Sequence, residues 1–220
     1  MLNWNTKQKN KKKKAMAEIN FYIIDCIEFM KTKPDNYYDL AIVDPPYGID
    51  IAKWDAIDMK PTKEYFAELF RVSKNQIIWG GNYFDLPHSE GWICWDKTFK
   101  YNQKFAVGEF ELAWSSFDCK HTFLRYTSCG NFQGWDNPRA NYEKKKSFHP
   151  TSKAVDLYRG ILQKFAKQGD KILDTHGGSM TIAKACDMEG FDLDVCEIDE
   201  QYFNNAIKKY NEYKSQTTMF

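Results

Sequence analysis

An apolar run at residues 39–43 is closed by two prolines, Pro45 and Pro46. Neither proline has an N–H to donate, so a sheet ladder cannot continue through them. The run is therefore a buried strand that stops at Asp44, and Asp44-Pro45-Pro46-Tyr47 is a loop at its C-terminal end. Any fold this chain adopts must present that loop at the carboxyl edge of a sheet.

The remaining sequence supplies further strands and the helices to cover them. Short apolar runs at 21–24, 76–79, 92–95, 110–115, 171–173 and 193–196 read as strands. Helices are expected at 26–31 and 63–72. Another is marked by Ala154, Leu157, Tyr158, Ile161, Leu162 and Phe165, which follow i, i+3, i+4 spacing, with Ser152 as N-cap and Gly169 as a stop. A helix from about Ser179 to Gly190 follows, and a last one carries Tyr202, Phe203, Ala206, Ile207 and Tyr210 on one face behind an N-cap at Asp199. Alternation of this kind predicts an α/β fold with a mostly parallel, doubly wound sheet and helices on both faces. Residues 96–148 are polar and aromatic, broken by Gly130, Gly134 and Pro138, and read mostly as an insertion. Residues 1–17 read as a basic disordered tail. That leaves one domain at 18–220, with halves at about 18–95 and 149–213.

Composition narrows the class. Hydrophobic residues make up 43% of the 220, enough for a packed core. No run approaches the roughly 18 apolar residues of a membrane span, and no secretory leader is visible. The six cysteines, Cys26, Cys94, Cys119, Cys129, Cys186 and Cys196, lack zinc-ribbon or redox-pair spacing and read as free thiols in a reducing cytosol. His88, His121, His149 and His176 show no paired spacing either, so no metal is expected. Net charge is +1, yet lysines cluster at Lys7, Lys9 and Lys11 to Lys14 and again at Lys144, Lys145 and Lys146. Each run is either a solvated surface or a set of phosphate contacts. Trp79, Trp92, Trp95, Trp114 and Trp135 crowd the middle third, mostly as core, with some available to line a cleft for a base.

Two constellations carry chemistry. An exocyclic amino group on a nucleobase is a poor nucleophile, because its lone pair is delocalised into the ring. Two acceptors for its N–H groups favour a tetrahedral nitrogen with a localised pair. Asp44 offers a carboxylate, the Pro45 carbonyl a rigid second acceptor beside Pro46, and Tyr47 a flat face for an extruded base. The second constellation is Asp174-Thr175-His176-Gly177-Gly178-Ser179, between a strand and a helix. Its glycines suit either tight strand-to-helix packing or close approach of backbone to a ligand. Glu197 ends the next strand, where a carboxylate can hold the two hydroxyls of a ribose. Together they suit a nucleoside cofactor, and the spaced-glycine fingerprint of nicotinamide binding is missing.

These residues resemble the amino-group DNA methyltransferases of the beta arrangement, in which the Asp-Pro-Pro-Tyr half precedes the cofactor half. Asp25-Cys26 matches that family's Asp-Cys element. His149-Pro150-Thr151-Ser152-Lys153 resembles its His-Pro-Thr-Gln-Lys block, and Glu197-Ile198-Asp199 with Tyr202 resembles its Glu-Ile-Asp turn. The resemblance covers about residues 19 to 213. It is closest to small phage or mobile-element adenine enzymes, which share stretches like Gly80-Gly81-Asn82-Tyr83-Phe84 and Trp95-Asp96-Lys97. It implies a Rossmann-like methyltransferase fold with circularly permuted motif order. It implies S-adenosyl-L-methionine as cofactor, bound by Asp25, Cys26, His149, Thr151, Lys153, Asp174, His176, Gly177, Gly178, Ser179 and Glu197. It implies double-stranded DNA as substrate, base flipping, and the adenine N6 amine as target, since cytosine-N4 members more often have Ser in place of Asp44. The working place is the cytoplasm of a bacterium or of a phage's host, with or without a cognate endonuclease. Met180 departs from the pattern, standing where the family has a second glycine; a side chain there would crowd the cofactor or shift the loop, and a silent nucleic-acid-binding remnant is the contrasting reading. Arg125, Arg139 and Lys144 to Lys146 are expected to touch DNA from the insertion, whose shortness implies a short site or help from a second subunit.

Overall fold

The computed structural model describes residues 17–50, 55–97, 108–126, 128–129, 132–133 and 153–217. Ten strands and five helices alternate along them: β1 (Ile19–Ile23), α1 (Cys26–Lys31), β2 (Tyr38–Val43), α2 (Lys63–Val72), β3 (Ser73–Trp79), β4 (Ile93–Asp96), β5 (Phe110–Ser115), β6 (Thr122–Arg125), β7 (Ser128–Cys129), β8 (Phe132–Gln133), α3 (Val155–Phe165), β9 (Lys171–Asp174), α4 (Thr181–Glu189), β10 (Asp192–Glu197) and α5 (Glu200–Thr217). Eight strands form one sheet in the order β1-β10-β9-β2-β3-β5-β4-β6, and β7 and β8 pair separately. From β1 to β3 every neighbour is parallel. β5 then enters antiparallel between β3 and β4, and β6 lies parallel to β4.

Both faces of the sheet are covered, as near-continuous apolar strands require. Alternate residues of β2 divide between two cores: Leu40 and Ile42 pack with α3, α4 and α5, while Ala41 and Val43 pack with α1 and α2. Cap chemistry sets where helices begin and end. Asp25 accepts from the N–H groups of Ile27 and Glu28 at 2.9 and 3.0 Å and starts α1. Asp199 accepts from Tyr202 N–H at 2.9 Å at the start of α5. α4 ends at Gly190 in the left-handed region, φ 75°, which glycine adopts without a Cβ penalty.

Some expectations shift. α3 begins behind Ala154, which makes no side-chain cap, so the helix starts too late for Ser152 to be its N-cap. α4 begins at Thr181 rather than Ser179, because Gly177 and Gly178 are spent on the preceding turn. The sheet also extends into the stretch read as an insertion. β5 and β6 belong to the main sheet, and β6 was not anticipated at all. The basic tail over residues 1–16, and Arg139, Lys144, Lys145, Lys146, His149 and Thr151, lie outside the described residues. Among the described residues no helix is long and apolar enough to cross a membrane.

Candidate active site

Strand order decides where a site forms. β9 and β2 are adjacent and parallel, with Leu40 opposite Ile172 and Ala41 opposite Leu173. The chain reaches them from opposite directions: β10 and β1 continue outward from β9, and β3 outward from β2. This is the switch point of a doubly wound sheet, where crevices open at the carboxyl ends of the strands. Here the ends of β1, β10, β9 and β2 lead into Asp25, Glu197, Asp174 and Asp44, so one sheet edge carries both chemical constellations.

The loop from Asp44 to Tyr47 is tied down by a residue that nothing in its neighbourhood singles out. Asp55, fully buried, accepts from the backbone N–H groups of Tyr47, Gly48 and Ile49 at 2.5, 3.0 and 3.2 Å. Three convergent donors fix the chain as it leaves the prolines. Tyr47 then folds back and donates its hydroxyl to Asp44 Oδ1 at 2.7 Å. Its ring stacks on Tyr83, with centroids 5.1 Å apart and planes 14° from parallel, and meets Phe84 edge-on. Burial, and then the charge of Asp44, pushes the Tyr47 phenol well above its usual range, so it remains a donor. Gly80 makes room for that ring: a Cβ there would lie 2.2 Å from Tyr47 Cε1, and its φ is +66°. Gly80→Ala is expected to force the ring off Asp44 and to destabilise the fold by about 1–3 kcal/mol, as overpacking does. The melting temperature of that variant should fall. An unchanged melt would mean that the ring is not held there.

On the other side of Asp44 lies Lys153, almost fully buried. Its Nζ contacts Asp44 Oδ2 and sits 3.3 Å from Glu111 Oε2. Lys97 meets the other oxygen of Glu111 at 2.6 Å. Burial alone would lower the Lys153 pKa, but the carboxylates of Asp44 and Glu111 hold it above its ordinary value. Glu111 is the mirror case: burial would raise it, and Lys153 and Lys97 hold it low. Glu111 was missed because a strand of alternating pattern gives no sign that one of its inward positions carries a charge.

The glycine turn is built on Glu197. Its Oε2 accepts from Gly178 N–H at 2.7 Å and its Oε1 from Asp199 N–H at 2.9 Å, while Gly177 N–H bonds to the Cys196 carbonyl at 2.8 Å. Next to it, the backbone of Ile24 bonds to the Glu197 carbonyl at 3.1 Å, which brings Asp25 alongside. Asp174 accepts from His176 N–H at 3.0 Å, and burial raises its carboxyl to about 7. His176 is held neutral, its pKa lowered to about 4 by burial. Its ring packs edge-on against Tyr65, and its Nδ1 lies 2.9 Å from Thr175 Oγ1, which meets the Tyr65 hydroxyl at 2.7 Å. Burial, and then Asp25, raises the Cys26 thiol to about 12, which leaves it no nucleophile. Ser179 lies within the turn, its hydroxyl 2.8 Å from that of Thr181. Met180 adopts the left-handed conformation that a glycine would favour, φ 49°, and its side chain is buried in the core under α4. Among the described residues no cluster of His, Cys, Asp or Glu is arranged to hold a metal ion. Arg125 is well exposed on β6, its Nε 3.9 Å from Asp96.

A DNA methylase family model matches residues 73–209, more than half of the chain. The chain belongs to the N6/N4 DNA methylase family. This DNA methylase is 23% identical over 252 aligned residues to the type II methyltransferase M1.MboII of Moraxella bovis, which covers 87% of this chain and 96% of that protein. Its fold is similar to that of M1.HpyAVI in complex with SAM, at TM-score 0.55 and 19% identity over 87% of this chain and 99% of that one. It is equally similar to the cytosine-N4-specific PvuII DNA methyltransferase, at TM-score 0.58 and 14% identity over 87% and 86%.

Proposed function

We propose that this DNA methylase transfers a methyl group from S-adenosyl-L-methionine to the N6 amine of adenine in double-stranded DNA, acting on a flipped base. The observation that carries the reading is the adjacency of β2 and β9, whose carboxyl ends lead into Asp44 and into the glycine turn. The cofactor fits the donor set on the neighbouring strand ends. Both oxygens of Glu197 already accept one backbone N–H each, and a carboxylate oxygen has lone-pair capacity for a second donor. A ribose diol supplies two such donors. Asp25 stands beside Glu197 for the adenine end, the Gly177-Gly178 turn admits the cofactor to the backbone, and Asp174 offers a carboxyl next to a cationic centre. Bound there, S-adenosylmethionine would supply the methyl group, its sulfur keeping the C–S bonding pair as a neutral thioether while the base amine gains the carbon and gives up one proton to solvent.

The chain's own residues prepare the amine. Asp44 and the Pro45 carbonyl accept from its two N–H groups, which localises the nitrogen lone pair and aims it. Tyr47 and Tyr83 supply the aromatic surface on which the base stacks. Catalysis is mostly orientation, for which effective molarities are large. Adenine is favoured over cytosine by the carboxylate at Asp44, where cytosine-N4 members of the resembling group more often have serine. Exposed on β6, Arg125 is a candidate contact to DNA.

The test is methylation of unmodified duplex DNA with labelled cofactor, followed by nucleoside analysis. N6-methyladenine is the expected product. N4-methylcytosine would overturn the choice of base while leaving the reaction, and no transfer together with no cofactor binding would overturn the function itself.

A further inference from the structure

Two stretches of the sequence contribute a tryptophan and a lysine, Trp79 ahead of Gly80-Gly81-Asn82-Tyr83-Phe84 and Lys97 in Trp95-Asp96-Lys97, that the proposed methyl transfer does not use. The structure brings both to the catalytic carboxylate. Four charges alternate in a row through the interior: Asp44, Lys153, Glu111 and Lys97. Each ammonium also faces an indole. Lys153 Nζ lies 5.0 Å from the Trp79 ring centroid and Lys97 Nζ 5.5 Å from that of Trp95, and the two indoles meet edge-on with centroids 5.9 Å apart. Lys153 and Lys97 are 4% and 8% exposed. Burying two ammonium groups against carboxylates that are each 25% exposed is a poor way to stabilise a fold, because the desolvation cost can exceed the Coulombic return and apolar residues of the same volume do as well or better. The row ends on the one carboxylate that the reaction needs.

We propose that Lys153 is a positioning residue for Asp44: it fixes the orientation of the carboxylate, while Glu111 and Lys97 hold Lys153 in place. The inference rests on the proposed function for its effect on rate, but the coupling between the two side chains does not. Lys153 and Tyr47 each take one oxygen of Asp44 from a different direction. The carboxylate is thereby pinned at both oxygens, and each oxygen retains acceptor capacity for the base amine. The Trp-Asp-Lys stretch acquires a role as well, because Lys97 holds the other oxygen of Glu111 and so fixes the carboxylate against which Lys153 rests. The His-Pro-Thr-Ser-Lys block acts on the target side of the site through its last residue.

Three variants test this. Lys153→Met removes the charge and keeps most of the volume. Lys153→Arg keeps the charge. The double variant Lys153→Met with Glu111→Gln also removes the carboxylate that the first change strands. At neutral pH, Lys153→Met is expected to move the carbon-13 chemical shift of the Asp44 carboxyl in the free protein, and Lys153→Arg to bring it back, because the ammonium contact at Oδ2 is lost and regained. Loss of an oriented acceptor is expected to lower kcat by about 100-fold, with KM for both substrates within about threefold, since the contact acts on the transition state. The double variant should recover the melting temperature lost in Lys153→Met without recovering the rate, and Lys153→Arg should restore the rate. A kcat of Lys153→Met within tenfold of wild type overturns the proposal. So does a loss of cofactor affinity in Lys153→Met that accounts for the whole defect. If the wild-type protein transfers no methyl group, the functional reading fails, and an unchanged carbon-13 shift of the Asp44 carboxyl in Lys153→Met would still overturn the coupling.

Discussion

Replacing Asp44 by alanine is expected to abolish methylation while leaving S-adenosylmethionine binding within a few-fold of wild type. The carboxylate stands on the target side of the switch point, joined to Tyr47 and Lys153, whereas the proposed cofactor contacts hang from β1, β9 and β10. An acceptor that acts on the developing transition state is comparable to one oxyanion-hole donor, whose removal costs about 10²–10³-fold in rate. Asp44→Ala should reach at least that, because the localising acceptor and the charge go together. The substitution also strands Lys153. Removing one partner of a buried pair costs about 3–5 kcal/mol, and the low end applies here because Glu111 remains in contact with the ammonium. Asp44→Asn is therefore the companion variant. It keeps a carbonyl acceptor and the side-chain volume, and should retain more stability and slightly more rate. Single-turnover transfer from labelled cofactor reads the rate, and calorimetry on the same preparations reads binding. Transfer by Asp44→Ala within tenfold of wild type would remove the mechanism.

The place of the Asp44–Tyr47 loop at a strand end was legible in the sequence because its logic is local. Two prolines cannot lie inside a ladder, so strand end, loop and acidic residue follow from four consecutive letters. Glu197 was legible for a similar reason, as the first polar residue after a buried run. Residues that act at a distance in the chain were not. Asp55 anchors Tyr47, Gly48 and Ile49, but nothing around it distinguishes a loop-fixing aspartate from a solvated one. Glu111 and Lys97 meet Lys153 only because β5 and β4 pair antiparallel beside β3, a topology that no periodicity encodes. Strand β6 escaped notice because Thr122-Phe123-Leu124-Arg125 is short and set among polar residues, and pairing with β4 rather than composition makes it a strand. Met180 shows the same limit from the other side. A methionine gives no hint of a left-handed turn, yet core packing holds it in one, at a backbone cost of about 1–2 kcal/mol.

The complementary expectation concerns Glu197. Its replacement by alanine should weaken S-adenosylmethionine binding by at least about 100-fold, without changing how Asp44 sits. Hydrogen bonds to a charged acceptor contribute about 1.5–3 kcal/mol each, and a diol held by both oxygens makes two. Even after the exchange for water, the loss should exceed the 2.7 kcal/mol or so that 100-fold represents. The same carboxylate anchors the glycine turn through Gly178 and the start of α5 through Asp199, so its removal also loosens the surface on which the cofactor rests. For that reason glutamine is not a gentle substitute. Both oxygens face backbone N–H groups, and an amide must turn its NH2 toward one of them, leaving two donors opposed. Glu197→Gln is therefore expected to bind almost as poorly as Glu197→Ala, which a residue acting only by shape or bulk would not produce. Calorimetric titration of both variants decides the matter. Wild-type affinity in either would place the nucleoside elsewhere, whereas binding lost here and kept in Asp44→Ala would assign the two halves of the sheet edge to cofactor and target.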